Sequence, residues 1–232
     1  MSKQKILIIR FKNEIRQEDI SKFRGAIVAT MQNAHILFHN HYNEGFRYAY
    51  PLIQYKRINK KAVIVCIGEG TDVIGNFFSN FTNEIRIGNS NITLEIESVK
   101  ANHIEIQLWN NEFSYRITQW LPFNQDNYPK YNETESLVER CKMLERILTG
   151  NMLSFAKCIG EIFDQQINCS ITSIDHFYVM SYKGVKMSAF DVSFKSNLSL
   201  PDFIGLGKGV SLGAGTVTRK KDKNTKYNID EE

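Results

Sequence analysis

The sequence predicts an α+β fold built as two successive sheet-and-helix units. Three observations carry that expectation. The 232 residues allow one large domain or two compact ones of roughly 100 residues each. The composition, 42% hydrophobic and 23% charged, is that of a chain able to pack a core. The elements of the first hundred residues read in the order β-α-β-β-α-β, the pattern of a ferredoxin-like (RRM-like) unit, complete by about residue 100. The expected domains are therefore 1–100 and 101–232.

Each element has its own signal. Residues 5–12 alternate and are rich in β-formers, which predicts a first strand. From Gln17 to Gln32, Ile20, Phe23, Ile27, Val28 and Met31 recur at helical spacing, with Glu18 and Asp19 suited to the positive end of the helix dipole. Residues 46–57 read as a strand rich in Phe and Tyr, and Pro51 inside it argues for an edge or a bulge. Ala62 to Ile67 is a continuous apolar strand. Thr71 is placed to cap a helix running to about Phe81, and 84–88 and 91–99 return to strand. The second half opens with strands near 102–109 and 113–121. Helices are expected near 134–148 and 151–163, broken at Thr149-Gly150. Strands near 167–173, 176–182 and 185–195 come next. A glycine-rich segment, 205–215, and a polar tail from about Lys220 close the chain.

Composition excludes several classes. No run approaches the ~18 apolar residues of a membrane span. The start is too short and too quickly charged for a secretion signal, so a soluble cytoplasmic chain is expected. Cys66, Cys141, Cys158 and Cys169 lie far apart in apolar stretches, which predicts buried free thiols and argues against a cysteine-built zinc site. The net charge is only +4, but it is unevenly spread. Between Phe46 and Gly68 stand Arg47, Lys56, Arg57, Lys60 and Lys61 with no acidic residue, and Arg219-Lys220-Lys221 forms a second basic cluster. Two such clusters point to a polyanion partner, although either alone reads equally well as a solvated surface.

His39-Asn40-His41 is the sharpest chemical feature. In an extended stretch the two imidazoles share a face, roughly 7 Å apart. Imidazole titrates near neutral pH, so one ring can take a proton and the other give one. RNA supplies its own nucleophile, the 2′-hydroxyl, and needs no metal to generate it. A role-free pair of half-exposed histidines is the bland alternative, and a metal site would need further ligands. Lone His35, His103 and His176 read as structural. Among Tyr48, Tyr50 and Tyr55, any one is more readily core than catalytic, yet each offers a hydroxyl or a stacking face. Lys56 is placed to neutralise charge developing on phosphorus. The glycine-rich segment carries Gly205, Gly207, Gly209, Gly213 and Gly215, with Lys208 and Ser211 between them. Such a chain can bring backbone N–H groups against phosphates. It is neither a Walker loop nor a dinucleotide fingerprint, and a flexible tail loop is its plain alternative.

Taken together, these pieces resemble the CRISPR repeat-processing endoribonucleases, repeat-associated RNA-binding proteins that excise guide RNAs from a precursor. The matching residues are Leu37-Phe38-His39-Asn40-His41, then Phe46 to Lys56, then Gly205 to Gly215. The likeness is strongest to the branch with two histidines at this point, and it spans the chain. It implies two tandem ferredoxin-like domains, His39 and His41 as acid and base, Tyr48 as the nearby aromatic hydroxyl, and Lys56 or Lys22 as charge stabiliser. It implies an RNA groove lined by the glycine-rich segment, with Arg47, Arg57, Lys208 and Arg219 on phosphates. Cleavage would leave a 2′,3′-cyclic phosphate and a 5′-hydroxyl, with no cofactor and no metal. The implied partner is CRISPR repeat RNA, with a CRISPR effector complex and a homodimer as further candidate associations and no membrane. One departure is Ala214, where glycine loops of this family often carry an aromatic residue. Two competing readings remain: a catalytically silent RNA-binding subunit of an effector complex, and a metal-dependent nuclease, the latter resting only on the letters His-Asn-His.

Overall fold

The computed structural model describes residues 3–30, 41–42, 45–46, 50–79, 83–88 and 90–220. Its first half is a four-stranded antiparallel sheet of β1 (Lys3–Glu14), β4 (Ile53–Ile58), β5 (Lys61–Ile67) and β8 (Ile96–Glu105), in the order β4-β5-β1-β8. Helices α1 (Ile20–Ala29) and α2 (Glu69–Ser79) make the two crossovers, so the β-α-β-β-α-β order holds. Two short hairpins are added: β2 (His41–Tyr42) with β3 (Gly45–Phe46), and β6 (Glu84–Ile87) with β7 (Ser90–Thr93).

Sequence explains this packing directly. Ile6, Ile9 and Phe11 of β1 are buried, as are Ile20, Phe23, Ala26 and Ile27 of α1, the helical stripe expected from their spacing. Phe23 contacts both Phe11 and Tyr55 edge-on, with ring centroids 5.9 Å apart in each pair. In β5, Ala62 to Ile67 are all buried, as a strand covered on both faces requires. β4 lies at the sheet edge and Pro51 precedes it, where its missing N–H interrupts no ladder. The boundary expected near residue 100 falls inside β8, which pairs with β1 as far as Glu105.

The second half repeats the strand plan. β9 (Leu108–Trp120), β10 (Cys169–Tyr182), β11 (Val185–Leu198) and β12 (Thr216–Arg219) form a sheet in the order β10-β11-β9-β12. Numbered within each half, both sheets have the order 2-3-1-4, so two ferredoxin-like units follow one another. The crossovers differ. The first is α3 (Asn127–Glu133) followed by the long α4 (Leu137–Cys158). The second, from Ser199 to Gly215, has no α-helix and only one 3₁₀ turn, Val210–Leu212. The glycine-rich segment therefore stands where the unit's second helix would be.

Two expectations are corrected. The helix does not break at Thr149-Gly150. Glycine there costs about 1 kcal/mol, while Leu144, Leu148, Met152 and Phe155 bury one continuous face across it. Thr149 turns its hydroxyl back onto the Glu145 carbonyl at 2.9 Å and leaves the helix intact. The true stop is Gly160, at φ +78°: its N–H bonds the Lys157 carbonyl and the Glu161 N–H bonds that of Ala156, a Schellman closure. Likewise 167–173 and 176–182 are a single strand, β10, whose register shifts at Ile171/Ser173 and Ile174/His176 locally scramble the alternation. Cys66 is buried as expected, whereas Cys141, Cys158 and Cys169 are half-buried; none of the four is in a disulfide. Among the described residues no helix is long and apolar enough to cross a membrane.

Candidate nucleic-acid interface

The glycine-rich segment docks on β4, and the alternation of that strand decides how. Tyr55 turns toward α1. Its neighbours Gln54 and Lys56 take the opposite face, where a strand places every second residue, and are fully buried against the second half. The Gln54 side-chain carbonyl accepts from the Gly205 N–H at 2.9 Å. Its amide donates to the Tyr50 hydroxyl at 2.8 Å, and that hydroxyl donates to the Gly205 carbonyl at 2.7 Å. Both backbone groups of Gly205 are thereby satisfied in a buried place. Lys56 Nζ donates to the Thr216 hydroxyl at 3.1 Å, which passes its own proton to the Gly213 carbonyl at 3.0 Å. With no carboxylate partner among the described residues, burial pushes the Lys56 ammonium down to about 7.

Glycine is needed here for close approach. Gly215 has φ +63°, and a Cβ on it would run into the Leu206 carbonyl; its N–H donates to Gln119 and its own carbonyl accepts from Leu206. A Cβ on Gly213 would lie 3.0 Å from the Ile20 side chain and 3.3 Å from the Tyr55 carbonyl. The N–H groups of Gly205, Leu206, Lys208, Leu212, Gly213, Ala214 and Gly215 all bond within the protein. Much of the backbone expected to face phosphate is thus spent on folding the segment, and Lys208 is its exposed charge.

The other predicted residues distribute as follows. His39, Arg47 and Tyr48 lie outside the described residues, as does His35. The backbone of His41 opens the β2–β3 hairpin, pairing with Phe46. Arg57 is exposed on β4 and donates from Nε to the Ile15 carbonyl at 2.8 Å. Ser211 is half-buried in the 3₁₀ turn, and Gly207 and Gly209 both have positive φ. The C-terminal basic cluster is anchored on the second sheet: the Arg219 guanidinium lies 4.2 Å over the Phe113 ring, and Lys220 donates to Ser193 at 2.6 Å. Tyr55 is a core tyrosine and Tyr50 packs half-buried against the core; burial pushes both hydroxyls well above their usual range. Lys22 pairs with Asp19 at 2.8 Å on the surface of α1. Among the described residues no three His, Cys, Asp or Glu side chains gather as a metal site would require.

Sequence reasoning missed Gln54. The available signal was Ile53-Gln54-Tyr55-Lys56, two polar residues alternating with two apolar ones on an expected strand.

Two ferredoxin-like units in tandem, the second closed by a glycine-rich crossover docked on the first, define an α+β protein of two linked ferredoxin-like domains. Residues 2–105 match the model of the Cas6b N-terminal domain and residues 107–220 that of the Cas6b C-terminal domain. The chain belongs to the Cas6b family. A solved Cas6b superposes with a TM-score of 0.85 at 26% identity, covering 94% of this chain and all (100%) of that one. A second, described as the CRISPR RNA processing endoribonuclease Cas6b, gives 0.73 at 24% identity over 94% of this chain and 99% of that one, a likeness of fold. An uncharacterized protein of Methanocaldococcus jannaschii is 31% identical over 124 residues, 53% of this chain and 83% of that protein.

Proposed function

We propose that the chain is a metal-independent endoribonuclease that cuts CRISPR precursor transcripts within the repeat and releases guide RNAs. The observation that carries this reading is the match of both halves to Cas6b domains. The docking of the glycine-rich crossover on β4 supports it, because the chain reaches β4 directly from the segment that bears His39, His41 and Tyr48.

In the proposed reaction one imidazole of the His39/His41 pair takes the proton of the 2′-hydroxyl as that oxygen attacks phosphorus. The P–O5′ bond breaks, and the other imidazole protonates the leaving oxygen. The products are a 2′,3′-cyclic phosphate and a 5′-hydroxyl. Tyr48 steadies the substrate, Arg47, Arg57, Lys208 and Arg219 hold phosphates, and glycines 205–215 with Ser211 shape the groove wall. Lys56 supports that wall from beneath and adds positive potential when protonated. The chain works in the cytoplasm on repeat RNA, with a CRISPR effector complex and a second copy as candidate associates.

The test is cleavage of the RNA repeat from the chain's own genome, in the presence of a chelator and with a 2′-deoxy sugar at the cut. Cleavage should survive the chelator and stop with the deoxy sugar. Loss of activity in chelator would sink metal independence, and cleavage of the deoxy substrate would sink 2′-hydroxyl attack.

A further inference from the structure

A second recess lies beyond the glycine-rich segment, outside the junction with β4. It has a volume of about 740 Å³ and is bounded by Phe123 after β9, Tyr128 of α3, the tip of the β10–β11 hairpin (Tyr182, Lys183, Lys186) and Lys208. No carboxylate among the described residues lines it. Tyr128 is 45% exposed and leans on Phe123, with ring centroids 5.6 Å apart. The Lys183 ammonium stands 5.8 Å from the centre of the Tyr182 ring. That ring also meets the glycine-rich segment, so closely that a Cβ on Gly209 would lie 3.0 Å from it. One wall of the recess is thus continuous with the segment proposed to line the RNA groove.

We infer that this recess is a subsite for an unpaired nucleotide of the bound RNA, its base stacked on Tyr128 and its phosphates held by Lys183, Lys186 and Lys208. Aromatic faces open to solvent suit a base that is not already stacked in a duplex, and a ring of lysines without carboxylates suits the backbone beside it. A protein partner would have to bring acidic groups to the same lysines. Continuity with the glycine-rich segment favours RNA. The inference rests on the reading of the chain as an RNA-processing protein and adds where unpaired RNA goes.

The experiment compares wild type, Tyr128→Ala and Lys183→Glu/Lys186→Glu on two RNAs: the repeat with single-stranded flanks, and a blunt hairpin with no unpaired ends. The second variant changes two exposed side chains, so a folding defect in Tyr128→Ala cannot mimic the result. On the flanked RNA, Tyr128→Ala should weaken binding about 10-fold. The double variant should weaken it further and lower the log–log salt slope. Binding of the blunt hairpin and the single-turnover cleavage rate at saturating protein should be unchanged. A 4-thiouridine in the flank should photo-crosslink to the peptide containing Tyr128. Wild-type affinity in both variants, or equal losses on both RNAs, overturns the subsite and leaves the recess to a protein partner. Failure of the wild type to bind either RNA would overturn the functional reading itself.

Discussion

The two halves of this chain share one strand order and differ in one crossover. In the first half both crossovers are helices that bury an apolar stripe on the sheet. In the second, one crossover is helical and the other is a glycine-rich segment threaded against the first half. A helix keeps its backbone about 8–10 Å from whatever it packs on, because side chains intervene. A segment of glycines removes that spacer: Gln54 and Lys56 of β4, with Tyr50 just before it, reach the backbone of Gly205 and the side chain of Thr216 directly. The first half keeps the segment with the candidate acid and base, and the second supplies the wall.

If the halves divide the labour in this way, catalysis and architecture should be separable by mutation. The largest effect is expected in the first half. Replacing His39 and His41 together by alanine should lower the single-turnover cleavage rate about 10²- to 10⁴-fold, the usual cost of losing a proton-transfer group. RNA affinity measured by anisotropy should hold, because the phosphate contacts proposed above involve other residues. Cleavage at the wild-type rate would move the chemistry to another site.

Next in size is a change to the wall. Gly215→Ala combines a left-handed backbone with a Cβ driven onto the Leu206 carbonyl. It should cost about 2–4 kcal/mol in denaturant unfolding. Gly150→Ala, in mid-helix where a Cβ meets nothing within 4 Å, should be neutral or stabilising. Equal effects at the two glycines would mean that the crossover is not held as closely as described.

The smallest effect reads the junction through pH. The buried Lys56 holds its proton less tightly than in the unfolded chain, about 7 against an ordinary 10.5. Between those values the unfolded chain binds the extra proton, so stability should rise with pH, by about 2 kcal/mol from pH 7 to 9. Above about pH 9 the gain is opposed by Cys66, whose thiol burial holds neutral in the fold while the unfolded thiol ionises. Lys56→Met should flatten the rise between pH 7 and 9. An unaltered pH profile in that variant would show that another group sets it.

Local sequence determined a good deal of this molecule. The stripe Ile20, Phe23, Ile27 reads as one face of a helix, and the structure packs that face on the sheet. The run Ala62 to Ile67 reads as a strand, and the structure buries it on both faces. The strand–helix order fixed the first unit. These signals are periodic, and their periods match the elements. Where the deciding contacts come from far along the chain, local signals misled. Thr149-Gly150 reads as a helix end, yet the packing of Leu144, Leu148, Met152 and Phe155 carries the helix through to the Schellman closure at Gly160.

The candidate site divides along the same line. The residue types for acid–base chemistry, and a glycine-rich segment with basic neighbours, stand in the sequence as local patterns. Only tertiary structure decided that the segment replaces a crossover helix and that Lys56 spends its hydrogen bond on Thr216. The same holds for Gln54, whose amide satisfies a glycine 151 positions away. A hydrogen bond to a distant backbone leaves no periodic trace. It is set by which face of β4 the core takes, and that choice belongs to the packed sheet.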